Sequence, residues 1–109
     1  MNNQKPMKTR CYYTEYVNHM LRFYLTCPDS LKIDNVKRRA DVENWIAVQS
    51  GLHCLSEENR EKVLEIYRTN YNIPQAVADY CQKTGEDERR VWTLVTKASS
   101  LIARCRGLI

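Results

Sequence analysis

With 109 residues, of which 43% are hydrophobic and 28% charged, the chain suits one water-soluble domain around one core. No apolar run is long enough to cross a bilayer, and the N-terminus lacks a secretory pattern. A membrane-spanning chain is therefore not expected, and a cytoplasmic location is expected. The net charge of +4 says less than its distribution: residues 1–56 hold 8 basic and 5 acidic side chains and residues 57–109 hold 9 and 8, yet every acid of the second half precedes Arg89.

Residues 1–11 are polar and basic around Pro6 and are expected to form a flexible arm. Residues 12–26 read as the first helix, with Tyr13, Val17, Met20, Leu21 and Tyr24 on one stripe. Tyr12, Tyr16, His19 and Phe23 make a second face. It either packs against a neighbouring helix or is offered to a protein partner or a second copy of the chain. Cys27-Pro28-Asp29 ends this helix, because the residue before proline is driven out of the helical region. Residues 28–36 read as a linker, and residues 37–50 as a second helix with Ala40, Val42, Trp45, Ile46 and Gln49 inward and Gly51 as its stop. Lys37, Arg38 and Arg39 sit where the helix dipole disfavours cations. Either they face phosphate or the helix starts nearer Asp41.

The third helix opens at Leu55-Ser56, with Ser56 as N-cap and Glu57, Glu58 and Glu61 complementing the dipole. Val63, Leu64 and Tyr67 point inward, and Asn70 to Asn72 break the run. Pro74 suits the first turn of a fourth helix carrying Ala76, Val77, Tyr80 and Cys81, which Thr84-Gly85 ends. Asp87 can cap a fifth helix from Glu88 to about Cys105, with Gly107 after it. Its dry face is Val91, Leu94, Val95, Ala98, Leu101, Ile102 and Cys105; Arg90, Lys97 and Arg104 fall on the other side, with Arg89, Thr93, Thr96 and Ser100 near them. No segment alternates with period two for long enough to make a strand, so the expected fold is all-α with about five helices: a helical pair over 12–52 and a three-helix unit over 54–109.

Five cysteines, Cys11, Cys27, Cys54, Cys81 and Cys105, have no pair closer than 16 residues, so neither a CxxC nor a zinc-ribbon spacing exists. They read as small buried apolar residues, with Cys81 and Cys105 at core positions. A metal held with His19 or His53 has no support from spacing, and no metal or other cofactor is expected. With three glycines and no GxGxxG, Walker, HExxH or GxSxG motif, an enzyme is not expected either.

The fourth and fifth helices read as a helix-turn-helix, with Ala78 as the small residue of the first helix and Gly85 in the turn. The stretch Leu55-Ser56-Glu57-Glu58-Asn59-Arg60-Glu61-Lys62-Val63-Leu64 resembles the start of region four of bacterial sigma-70-type factors. Ile73 to Asp79 is similar to the next helix of that region, Arg89 to Val95 to its recognition helix, and Ala98 to Arg106 to its tail. The resemblance covers residues 54–109. The seven residues from Ala78 to Gly85 exceed the usual interval, and Glu86-Asp87-Glu88 place acids where a groove-entering helix begins. It implies a small helix-turn-helix regulator of the kind found on bacterial mobile elements and prophages, with double-stranded DNA as partner. The residues expected to meet DNA are Arg89, Arg90, Thr93 and Lys97 in or beside the major groove, with Arg104 and Arg106 on phosphate. Arg38 and Arg39 would add a flanking backbone contact. The competing expectation is a non-enzymatic interaction module, such as an accessory or inhibitor protein, that uses Tyr12, Tyr16, His19 and Phe23.

Overall fold

The computed structural model describes residues 13–26 and 39–109. Among these the fold is all-α, in five helices: α1 (Thr14–Thr26), α2 (Arg39–His53), α3 (Glu57–Thr69), α4 (Ile73–Thr84) and α5 (Glu88–Arg106). The expected arm, the whole of the expected linker, Tyr12, Cys27, Lys37 and Arg38 lie outside the described residues.

Five of the six helix ends of the second half have a local cause. The Ser56 hydroxyl accepts from the Asn59 N–H at 3.2 Å and starts α3. Asn72 does the same for α4, accepting from the Gln75 N–H at 2.9 Å, with Pro74 in the first turn. Gly85 ends α4 in the left-handed region, φ 80°, with its N–H on Cys81 O. Asp87 caps α5 through the Arg90 N–H at 3.1 Å. Gly107, φ 86°, closes α5 while the Leu108 N–H reaches back to Ala103 O, which satisfies carbonyls the helix leaves open.

A single buried cluster draws on all five helices: Val17 and Leu21 of α1, Val48 and Leu52 of α2, Val63 and Ile66 of α3, Val77 of α4, and Ile102 of α5. Each such side chain contributes about 1.5–3 kcal/mol when fully buried. The most extensive helix–helix contact among the described residues is between α2 and α5, and it depends on Gly51. A Cβ there would lie 2.7 Å from Ile102 Cγ1 and 3.0 Å from the Ile102 backbone, so only glycine permits this approach.

Several expectations for α2, α4 and α5 are corrected by the structure. Gly51 is no stop, because α2 continues to His53 and the glycine is buried within it. Ile46 points outward and is 53% exposed; its neighbour Trp45 turns in against Tyr24, ring centroids 5.3 Å apart. Ala40 is exposed in the first turn of α2, before the helix meets its neighbours. Ala78 is exposed, and Ala76 supplies the small buried position of α4. Cys105 is exposed in the last turn of α5, beside Ile46 and Ser50 at the edge of the α2–α5 seam.

Candidate nucleic-acid interface

Helix α5 presents its buried residues, Val91, Val95, Ala98, Ser99, Ile102 and Ala103, to the rest of the fold. On the opposite side Arg90, Thr93, Lys97 and Arg104 are exposed, with Arg89 and Thr96 along the margin. Arg90, Lys97 and Arg104 follow each other every seven residues, so they sit about 10.5 Å apart along a stripe of about 21 Å. Thr93 returns its hydroxyl to Arg89 O at 2.9 Å, which leaves the oxygen lone pairs facing solvent.

The stripe's charge is not consumed by the protein. Arg89, Arg90, Lys97 and Arg104 form no side-chain ion pair or hydrogen bond with any described residue. Nearby acids are engaged elsewhere. Glu43 binds Arg39 at 3.1 Å and Arg106 at 3.3 Å. Glu65 binds Lys83 at 2.7 Å. Glu86 accepts from Lys62 and from the Tyr80 hydroxyl, both at 3.2 Å. Asp87 caps the helix, and Glu88 sits about 160–200° around the helix from Arg90, Lys97 and Arg104. Placed in the first turn, its charge complements the helix dipole.

Arg106 differs from its neighbours. Besides the Glu43 pair, its Nε donates to Asn44 Oδ1 at 2.6 Å, and only 23% of its side chain is exposed. It therefore pins the last turn of α5 to α2 rather than standing free for phosphate, because two residues along a helix turn a side chain by about 200°. Arg39 is 90% exposed with its guanidinium on Glu43. Asn44 also accepts from the Tyr16 hydroxyl at 3.2 Å, so Tyr16, 40% exposed, has its polar tip tied to α2 while its ring edge meets solvent. His19 is exposed and Phe23 half-buried.

Residues that the sequence did not assign to the site also frame α5. Asn59 and Lys62 of α3, Tyr80 of α4 and Glu86 line a cleft with Arg90 and Leu94. Burial, with Glu86 second, pushes the Tyr80 phenol up to about 12. Burial first, then Glu88, Glu86 and Asp87, push the Cys81 thiol up, which disfavours its thiolate. Of the other described cysteines, Cys54 and Cys105 are exposed. Among the described residues no three His, Cys, Asp or Glu side chains cluster to hold a metal, and no helix is long and apolar enough to cross a membrane. No known protein family, curated protein or solved structure matches this chain.

Proposed function

We propose that this protein binds double-stranded DNA through the outer face of α5, as a helix-turn-helix regulator in which α4, the Gly85 turn and α5 form the reading unit. One observation carries the reading: four cations, Arg89, Arg90, Lys97 and Arg104, are exposed and have no ion-pair partner among the described residues, while the acids Glu43, Glu65 and Glu86 are bonded to other groups. A protein that needed those cations for its own stability would pair them. Left free on a rigid helix, they suit a polyanion.

Arg90, Lys97 and Arg104 fit backbone phosphates, and Arg89 and Arg90 in the first turn are suited to guanine edges, which arginine meets bidentately. The acid-bearing turn is compatible with approach to DNA because Glu86 and Asp87 are bonded and Glu88 lies off the stripe. Arg106 serves the fold and is left out of the contact set. Arg38 lies outside the described residues, and Arg39 keeps its flanking role only by leaving Glu43.

The test is fluorescence anisotropy of a random duplex over a salt series. Three phosphate contacts, from Arg90, Lys97 and Arg104, give a slope of log K against log salt of about −2.7 on B-DNA. Lys97→Ala and Arg104→Ala should each flatten that slope by about 0.9 and weaken all sequences alike. Arg106→Ala should leave the slope unchanged. Absence of binding at low salt refutes the proposal. A partner protein or second copy on the α1 face is then favoured by the exposure of Tyr16 and His19, and a dimer mass lost in Tyr16→Ala would identify it.

A further inference from the structure

The three acids at the start of α5, Glu86, Asp87 and Glu88, occupy the worst place for a phosphate-binding helix, yet only one is anchored outside its own turn. Glu86 Oε1 accepts from Lys62 Nζ of α3 and Oε2 from the Tyr80 hydroxyl of α4, each at 3.2 Å. Its own N–H donates to Thr84 Oγ1 at 3.3 Å. Gly85 before it is held by Cys81 O, and Asp87 after it caps the Arg90 N–H. The carboxylate is thus the bolt that fastens the α4–α5 turn to the other two helices of the three-helix unit. Arg90 lines the same cleft, so a Glu86 released from Lys62 and Tyr80 has Arg90 as its next cation.

We propose that Glu86 is a positioning residue for the basic face of α5: clamped between Lys62 and Tyr80, it fixes the turn that aims Arg89 and Arg90 and keeps its own charge off the stripe. This rests on the reading of α5 as a duplex-binding helix.

The sign of one mutational effect separates this role from simple electrostatics. Glu86→Ala removes a negative charge near the stripe and takes from Lys62 the nearer of its two carboxylates, leaving Glu58 at 3.7 Å. Both changes attract phosphate, so by charge alone duplex affinity rises. A loss of affinity can only come from geometry. The expected result is a loss of about tenfold with a salt slope lower by about 0.9, the signature of one phosphate contact no longer made. Tyr80→Phe keeps every charge and removes one of the two bonds; it should weaken binding in the same direction by a smaller factor, about threefold. Circular dichroism confirms that each variant is folded at the assay temperature. A clamp with no bearing on the ligand would leave the salt slope of the folded protein unmoved.

Amide hydrogen exchange of the free protein reads the clamp without DNA. Exchange over residues 85–90 should quicken in Glu86→Ala while the α2–α5 seam stays protected. Wild-type protein without duplex affinity overturns the α5 reading and this proposal with it. Wild-type binding with an unweakened or tighter Glu86→Ala overturns this proposal alone, as does unchanged exchange at the turn.

Discussion

An alanine at Gly51 tests how closely α2 and α5 meet. The new Cβ would stand 2.7 Å from Ile102 Cγ1 and 3.0 Å from both the Ile102 Cα and N. A rotamer change relieves only the first of these; the other two are backbone, so α5 itself must move. Overpacking of this kind costs about 1–3 kcal/mol. Against it, alanine gains about 1 kcal/mol over glycine within a helix. With two backbone contacts to relieve, we place the overpacking in the upper half of its range and expect a net loss of about 1–2 kcal/mol. For a domain of this size that lowers Tm by roughly 5–10 °C. Urea unfolding followed by far-UV circular dichroism measures it, with an unchanged m-value showing that the unfolding reaction is the same. In an Ile102→Ala background the Cγ1 contact is gone, so Gly51→Ala should cost less there, and the coupling is read from the double-mutant cycle. A Gly51→Ala protein as stable as wild type, or more stable, refutes the close approach, because the helix propensity gain would then stand unopposed.

Two further outcomes follow from buried polar groups. Asn44→Ala leaves Arg106 Nε and the Tyr16 hydroxyl without their shared acceptor and should cost about 1–3 kcal/mol by chemical unfolding; a neutral effect refutes that junction. At high pH the signs are set by Tyr67 and Tyr80, both pushed from 10.0 up to about 12, first by burial. The folded state keeps protons that the unfolded chain loses, so stability is full below pH 10 and falls as pH rises towards about 12. Unfolding midpoints taken along this range should drop, and the drop should shrink in Tyr67→Phe; a flat profile refutes the burial of these phenols.

What local chemistry determines was legible in the sequence. Ser56 and Asp87 as caps, Pro74 in a first turn and Gly85 and Gly107 after helix ends act within a few residues, and each is found in that role. The outer face of α5 was legible for a related reason: periodicity alone separates Arg90, Lys97 and Arg104 from Val91, Val95 and Ile102. Gly51 was misread because a glycine near a helix end signals a stop unless the contact across the fold is known, and that contact is Ile102. Cys105 fits the apolar stripe by angle but lies where α5 runs to the edge of its partner helix. Arg106 looked like its neighbour Arg104 because nothing in the order of residues links it to Glu43 and Asn44, about sixty positions away.

The same pairing explains how a nearly neutral half-chain can present a cationic surface. Residues 57–109 carry 9 basic and 8 acidic side chains, so bulk attraction to DNA is weak by count. The acids are not spread evenly over the cations, however. Glu58 and Glu86 converge on Lys62, Glu65 takes Lys83, and Glu43 takes both Arg39 and Arg106. On the outer face of α5, Arg89, Arg90, Lys97 and Arg104 are left without an acid among the described residues. At physiological salt the Debye length is about 8 Å, shorter than the spacing of about 10.5 Å between successive stripe cations. A phosphate at Lys97 therefore responds chiefly to Lys97, and acids on the far side of α5 are screened from it. Local field, not net charge, sets the strength of this surface, and for that reason the salt slopes of single neutralised cations should add.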